Sequence, residues 1–541
     1  MKNRILLILI FIMAFSLRYF KIADYPKTLY GDEQAFAWNA YNILKLGTDE
    51  YGTPYPLHFR SFNDYKAPVP VYLLVPVFKV FGMNAWSIRI PIVIASFLTV
   101  VVFYFFCRLF LAEKISLLSA FLFSVSPWHV HLSRGYFEST LSLLFFLTGI
   151  YCFLKSRLKT GWLILSSFFF TLALYSYFTP RILLPFFLLL LFYIGVKLFA
   201  GGKVKSVIAP YLIFIVIFLI LTLPMIKLTF FGGGLSRFKK LNDSVSLVIT
   251  QTVNRERNAS LLPLNWRIIL HNKATVWLRI FKNNYLEHFS LNFWYLYGDN
   301  SLRYFLGNMG MFYLYEMPFL FLGIIYIIKN NGPLAYFLLG WLLLAPLPAS
   351  LVGRSFAVRS LSILPAPFVF VAAGISFFTL YIRKKIYKFI FIGGLTAAVV
   401  CMLGITLVKY YFEYPVYAAT WWGWENKAAL DYARARESLY DNIFISDYYT
   451  GATLAFAVYN RYDPRAFRQA INNPVTLGDN RRFIKLGKYY FGSLDLDPVR
   501  LSQNIIPPKS LYIGRPEEPD SSKTINAPDD GRVIFKIYKT D

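Results

Sequence analysis

The sequence predicts a polytopic α-helical membrane protein of about eleven transmembrane helices, followed by a small extracytoplasmic α/β domain. Of the 541 residues, 57% are hydrophobic and only 16% are charged, against about 25% charged in a typical soluble domain. The apolar residues also come in long blocks, many close to the ~20 residues that cross a hydrocarbon core, rather than in periodic stripes. From about Tyr411 onward the composition turns polar enough to fold in water. Together these observations exclude a cytosolic enzyme and a disordered chain.

The first apolar block, Ile5 to Phe20, follows Met1-Lys2-Asn3-Arg4 and has no small-x-small cleavage site behind it. It reads as a retained helix with its N-terminus inside. Val69 to Phe81 is apolar but short, and Pro70, Pro76 and Lys79 fall within it, so it reads as an interfacial or re-entrant segment. Further spans follow at Ile90 to Phe106, Ile115 to Trp128, Thr140 to Leu154, Trp162 to Tyr177, Ile182 to Val196 and Val207 to Ile226. After a polar gap come Met311 to Ile328, Pro333 to Ala349, Leu361 to Leu380 and Phe389 to Val408.

Basic clusters then fall on one side: Arg108 with Lys114, Lys155 with Arg157 and Lys159, Lys203 with Lys205, Lys329, and Arg383 with Lys384, Lys385 and Lys388. Counting Val69 to Phe81 as a span would place all of them outside, so the positive-inside rule decides the parity. Arg354 and Arg359 sit in an outer turn against the trend. This parity puts the loop 21–89, with its interfacial helices, the gap 227–310 and the tail after Lys409 on the outer face. The expected division is a membrane module over 1–408 and a soluble domain over 409–541, in a protein of the plasma membrane.

The tail has its own grammar. A helical pattern runs through Glu425 to Arg436, and strand-like runs occupy Asn442 to Ser446, Ser510 to Ile513 and Val533 to Tyr538. Pro507, Pro508, Pro516 and Pro519 mark loops.

The net charge of +27 does not point to nucleic acid, because many of the cations lie between apolar blocks, where they orient a membrane protein. Cys107, Cys152 and Cys401 all lie inside apolar blocks and offer neither a disulfide framework nor metal-ligand spacing.

Several outer turns carry chemistry. Gly31-Asp32-Glu33 opens a segment in which Phe36, Ala40, Ile43 and Leu44 recur at helical spacing, the pattern of an amphipathic helix on a membrane surface. Asp32 reads either as a helix cap or as a carboxylate base for a hydroxyl acceptor, with Glu33 as a first-turn acid beside it. Asn63-Asp64-Tyr65-Lys66-Ala67-Pro68 places a lysine at the outer interface, where it meets a lipid phosphate or anchors the segment. Ser133-Arg134-Gly135-Tyr136-Phe137-Glu138 contributes a cation and an acid that serve a site or neutralise each other. His129 and His131 lack a fixed third metal ligand. In Tyr177-Phe178-Thr179-Pro180-Arg181 the arginine suits a bidentate phosphate grip or an interfacial anchor. The gap holds Arg237, Lys239, Lys240, Arg255, Arg257, Arg267, Lys273, Arg279 and Lys282, followed by His288 and by Gly298-Asp299. Such a basic surface faces headgroups or an anionic substrate. Gly232-Gly233-Gly234 lacks the context of a nucleotide loop and reads as a hinge or turn.

Taken together, Gly31-Asp32-Glu33, Lys66-Ala67-Pro68, the Ser133 to Glu138 turn, Tyr177 to Arg181 and the multispan layout resemble the GT-C membrane glycosyltransferases. The resemblance is to the branch of the protein O-mannosyltransferases and lipid A aminoarabinose transferases, and it extends to about Leu380. It departs where family members often carry a second proline after the Lys-Pro or His-Pro element and where several relatives have Asp in place of Glu138. The resemblance implies a GT-C-like fold and transfer of a hexosyl or pentosyl group from a polyprenyl-phosphate-linked donor to a hydroxyl of a glycan, lipid or protein acceptor. It implies Asp32 as the acceptor's base, assisted by Glu33 or Glu138, and Lys66 and Arg181 as holders of the carrier phosphate. Asp64, Tyr177, Arg134 and His288 are further candidates for substrate contact. Some GT-C enzymes use a divalent metal ion and others need no cofactor, so the metal stays open. A phosphate monoester, with its second pKa near 6, leaves without an obligatory general acid, so the expected outcome is inversion by direct displacement. A polysaccharide polymerase or ligase with a lipid-linked substrate is the nearer alternative, and a secondary transporter the remoter one.

Overall fold

The computed structural model describes residues 1–540 except 63, 157–158, 160, 200–204, 232–235, 354–355, 478–480, 500–505 and 522. The expected Gly232 to Gly234 hinge, the basic residues Arg157, Lys203 and Arg354, and the side chains of Asp64, Lys205, Arg237, Lys239 and Lys240 therefore lie outside what is described. The chain separates into two compact units: Met1–Phe20, Ser61–Val69 and Ile92–Thr406 form one, and Lys21–Arg60, Pro70–Pro91 and Leu407–Asp541 form the other.

The first unit is helical. Every predicted span contains a helix, and among the described residues 7 helices are long and apolar enough to cross a membrane: Ala85–Cys107, Glu138–Lys155, Thr179–Lys197, Ile208–Leu228, Gly332–Ser350, Leu361–Tyr381 and Lys385–Tyr417. Lys2–Tyr19, Gly161–Ser176 and Glu316–Asn330 are helices of 18, 16 and 15 residues. The expected span Ile115 to Trp128 is cut short, because its helix, Glu113–Ser124, has 12 residues and rises only about 18 Å. The cause is local. Ser126 accepts a hydrogen bond from the His129 amide, and Pro127 opens a separate short helix, Pro127–Leu132. Pro68–Phe81 is a helix of 14 residues with Pro76 inside it.

Burial divides these helices. The apolar window of Glu138–Lys155 is 72% buried, but that of Lys385–Tyr417 only 11%, so the latter shows lipid-compatible surface on nearly every side. Glu316–Asn330 and Pro365–Tyr381 pack backbone to backbone. A Cβ on Gly323 would fall on the Phe370 carbonyl, and one on Gly374 on the Phe319 carbonyl. Small residues at such a crossing let the two backbones approach closely.

The second unit contains the helix Gly31–Leu46 and a sheet of 7 strands. Across the sheet the order is Val475–Leu477, Arg481–Leu486, Tyr489–Phe491, Asn442–Ile445, Ser510–Gly514, Val533–Lys539 and Lys523–Asn526. Asn442–Ile445 is parallel to both its neighbours, and the outer pairings are antiparallel. Its run Ile443, Phe444 and Ile445 is fully buried, as expected of a central parallel strand. Phe444, Phe483, Tyr490 and Tyr512 form the core of one sheet face. Of the expected elements, the helix appears as Trp424–Arg434 and the strands within a residue or two of their predicted limits. Ala452–Tyr459, Pro464–Asn472 and the strands between residues 475 and 491 were not legible.

Within this unit the loop 21–60 is bound to the tail. Thr28 Oγ1 donates to the Trp422 carbonyl at 2.7 Å, the Leu29 amide donates to Tyr459 Oη at 3.0 Å, and Arg468 Nη2 donates to Thr48 Oγ1 and the Asp49 carbonyl.

Candidate functional site

Asp32 and Glu33 occupy the first turn of Gly31–Leu46, a helix that begins after extended Tyr30 and ends at Gly47, whose φ of 69° is a left-handed cap that glycine adopts freely. Glu33 to Ala40 are all buried. Two alanines beside Phe36 and Trp38 let neighbouring chain close over it. Glu33 is fully buried and fully engaged. Its Oε2 accepts the Tyr30 amide at 3.2 Å, and Arg89 donates to Oε1 at 2.9 Å and to Oε2 at 3.1 Å. Arg89 also donates to the carbonyls of Ile22, Pro26 and Thr28. Glu33 therefore fixes the loop carrying its neighbour Asp32, which is half-buried.

The other candidates belong to the helical unit. Lys66 ends the short strand Asp64–Lys66 and is 7% exposed. Arg134, buried, donates to the carbonyls of Leu17, Arg18 and Phe20, the C-terminal end of Lys2–Tyr19, where a cation also suits the helix dipole. Arg18 donates to His129 Nδ1 at 2.8 Å and to Ser96 Oγ at 2.6 Å. These contacts tie the end of Lys2–Tyr19 to neighbouring helices. Arg181 Nε donates to the Leu174 carbonyl at 3.4 Å, with its guanidinium 5.4 Å from the Phe178 ring. His288 Nδ1 donates to the Asn284 carbonyl at 2.8 Å, and burial lowers its pKa to about 4, so it is a neutral ring that brings no charge to a phosphate. On the basic surface of the gap, Arg279 is paired with Glu256.

A cleft in this unit is lined from three segments, one of them the sequence-predicted turn Tyr177 to Arg181. Ser139 and Ser142 line it from the start of Glu138–Lys155, directly after half-buried Glu138. Tyr177, Thr179 and Pro180 line it from the next turn, and Val358, Arg359 and Ser362 from a segment before Pro365–Tyr381. The third segment is held firmly. Asp299 Oδ2 accepts the Ala357 amide at 2.5 Å, Trp128 Nε1 donates to the Ala357 carbonyl at 3.1 Å, and Thr179 Oγ1 donates to the Arg359 carbonyl at 3.3 Å. Burial pushes Asp299 up to about 6, partly offset by the amides it accepts. Ser139 and Arg359 were not assigned to a site from sequence. The signal for Arg359 was present as a cation on the wrong side of the charge rule. Among the described residues no group of three or more His, Cys, Asp and Glu side chains comes together to hold a metal ion.

A family model of dolichyl-phosphate-mannose-protein mannosyltransferase matches residues 65–227. The solved structure of ArnT from Cupriavidus metallidurans in the apo state aligns with a TM-score of 0.54 at 11% identity, covering 98% of this chain and 97% of that one. The fold is that of the GT-C membrane glycosyltransferases. The same ArnT bound to undecaprenyl phosphate aligns with a TM-score of 0.52. The archaeal oligosaccharyltransferase AglB from Archaeoglobus fulgidus, solved with an inhibitory peptide and a dolichol-phosphate, aligns with a TM-score of 0.52 at 14% identity. The chain covers 63% of the AglB length. No curated protein matches the chain at a significant level. On this chain the family match begins at Tyr65, beside Lys66, and includes Arg134, Glu138, Tyr177 and Arg181, while Asp32 lies before it.

Proposed function

We infer that the protein is a membrane glycosyltransferase that moves a sugar from a polyprenyl-phosphate-linked donor to an acceptor hydroxyl at the outer membrane face, with inversion. The observation that carries the reading is the ArnT-like architecture along 98% of the chain, joined to a mannosyltransferase family match over 65–227. That ArnT was solved with undecaprenyl phosphate, and AglB with a dolichol-phosphate, supports a carrier lipid as donor. In this reading about eleven helices cross the membrane, the N-terminus is inside, and the tail over 409–541 is outside.

In the mechanism, Asp32 takes the proton of the acceptor hydroxyl as its oxygen attacks the anomeric carbon. The bond from that carbon to the phosphate oxygen breaks as the new bond forms, and the electron pair leaves with the polyprenyl phosphate. Lys66 and Arg181 stabilise the charge that gathers on the phosphate, each as a fixed cation at a site poor in water. Glu138, at a helix start, is the second acid available to the acceptor, and Tyr177, Asp64 and His288 are uncharged or acidic neighbours that orient rather than neutralise. Glu33 and Arg134 position the site through the contacts described above. No step is written through a metal ion.

The test is transfer itself. Membranes containing the protein should move sugar from a panel of polyprenyl-phosphate sugars, and Asp32→Asn should abolish transfer without lowering expression. Full turnover by Asp32→Asn with a verified donor would remove Asp32 as the base. A polymerase or ligase would instead need the gap 227–310 and dispense with Asp32.

A further inference from the structure

The helices Ser236–Ala259 and Lys273–Glu287 pack against each other as a hairpin, with Ile249, Val253 and Val276 as its buried seam and Ile280 beside them. With seven charged residues in the first and four in the second, neither helix suits a membrane crossing. The turn that joins them has the opposite character. Its short helix, Leu264–Leu270, has no buried residue, and Leu261, Leu264, Trp266, Ile268, Ile269 and Leu270 are all exposed. So many large apolar side chains in one turn exceed the scattered exposure of an ordinary surface and mark a contact. A helix of this length rises only about 10 Å, so the turn is too short to span and suits an interface instead.

The turn is held in shape. Arg257 Nε donates to the His271 carbonyl at 2.7 Å, Arg267 Nε donates to the Leu262 carbonyl, and Asn272 caps the second helix by accepting the amides of Ala274 and Thr275. An apolar tip fixed in this way meets its partner without first having to order itself.

Charge identifies the partner. Residues 236–287 hold nine Lys and Arg against three Asp and Glu. Arg255 and Lys273, which flank the turn, are exposed and form no hydrogen bond or ion pair among the described residues. Lys273 also opens its helix, where the dipole disfavours a cation, and an anion outside the chain removes that conflict. A second copy would set like charges against each other. A tryptophan, aliphatic side chains and flanking cations are instead the make-up of a segment resting among anionic headgroups. We propose that residues 260–272 insert into the outer leaflet as an anchor separate from the spans, with Arg255 and Lys273 paired to the headgroups of anionic phospholipids. The proposal rests on the outer placement of the gap 227–310 and is independent of the sugar transfer.

The experiment uses the full chain with Cys401→Ser, since Cys107 and Cys152 are buried, and a nitroxide spin label on Leu261→Cys, in nanodiscs that hold one copy. Leu261 is fully exposed, so its replacement leaves the fold intact. The bilayer is phosphatidylcholine alone or an equal mixture with phosphatidylglycerol. Accessibility of the label to oxygen, which concentrates in the bilayer, is compared with accessibility to a neutral nickel chelate confined to water. In the charged bilayer oxygen should reach the label and nickel should not. Arg255→Gln and Lys273→Gln should each lower the ratio of inserted to withdrawn turn there about fivefold, with little change in phosphatidylcholine alone. Free access of nickel in both bilayers would overturn the insertion. Equal insertion in both bilayers, unmoved by the two substitutions, would overturn the anionic partner. Nickel access in single-copy nanodiscs with protection in vesicles crowded with the protein would assign the turn to a second copy instead. Labelling of Lys273→Cys by an impermeant thiol reagent from the cytoplasmic side alone would overturn the outer placement on which the proposal rests. None of these outcomes is read through transfer activity, so the glycosyltransferase reading stands or falls separately.

Discussion

Arg89 Nε lies 2.9 Å from Glu33 Oε1, and neither side chain is more than 1% exposed. The pair closes over the start of the helix that presents Asp32, and both partners have further acceptors or donors in the backbone, so no lone pair or proton is left unmet. Removing one partner strands the other charge out of water, which costs about 3–5 kcal/mol. Glu33→Ala is therefore expected to lower the melting temperature of the purified protein sharply, and Arg89→Met combined with Glu33→Gln to recover much of the loss. A Glu33→Ala variant that melts like the wild type would show the pair to be dispensable.

Arg134 spends its guanidinium on the carbonyls that end Lys2–Tyr19. Lysine keeps the charge but cannot span those acceptors. Arg134→Lys should melt lower by the equivalent of about 2 kcal/mol while the KM for a lipid-linked donor stays unchanged. A raised KM at unchanged stability would return Arg134 to the substrate.

At the crossing of Glu316–Asn330 and Pro365–Tyr381, the methyl of Gly374→Ala meets the Phe319 carbonyl, and backbone has to move. The expected cost is about 3 kcal/mol. Gly404→Ala is the internal control, since nothing lies within 4 Å of a Cβ there, and it should be neutral or stabilise by about 0.5 kcal/mol. Equal melting of the two variants would mean that the close approach is absent in solution.

Asp299 gives a pH dependence with a definite sign. Burial raises its pKa from 3.8 to about 6, so the folded chain keeps that proton at a pH where the unfolded chain has released it. Its contribution is present in full below about pH 4, is lost as pH rises toward about 6, and amounts to about 3 kcal/mol. Asn in its place does not titrate. The stability difference between wild type and Asp299→Asn should fall across that interval, and a difference independent of pH would show that the carboxyl is better hydrated than its 3% exposure implies.

The topology is checked by fusion. A reporter that is active only after export, joined behind Lys409, should be active, and one active only in the cytoplasm should be silent there. The reverse pattern would invert every loop assignment.

The helices were legible because an apolar block of membrane length has few alternatives, and the reading failed where a short local signal, Ser126-Pro127, outweighed the hydropathy of its surroundings. In the tail, Asn442 to Ser446 stood out because a central parallel strand is apolar throughout, whereas Val475–Leu477 lies at the sheet edge with mostly exposed side chains and carries no such pattern. The candidate site was legible as motifs and illegible as roles. Glu33 looks like Asp32 in the sequence, and its pairing with Arg89, 56 residues away, is not legible there. The acceptors of Arg134 lie more than a hundred residues back. Local pattern reports which groups are available, but burial and distant partners decide which of them are already committed.

The bonds from Thr28 to Trp422 and from Leu29 to Tyr459 join residues 394 and 430 positions apart. At about 5–20 residues per second on the ribosome, the early segment waits roughly 20 to 80 s before its partners exist. During that interval the helix Gly31–Leu46, with an interior-type surface on nearly every side, has only residues 21–60 and 70–91 of its own unit to pack against. Maturation of this protein is thus timed by its last-made residues, and a chain truncated before Trp422 would emerge with its loop 21–60 unmoored and exposed to the cell's proteases.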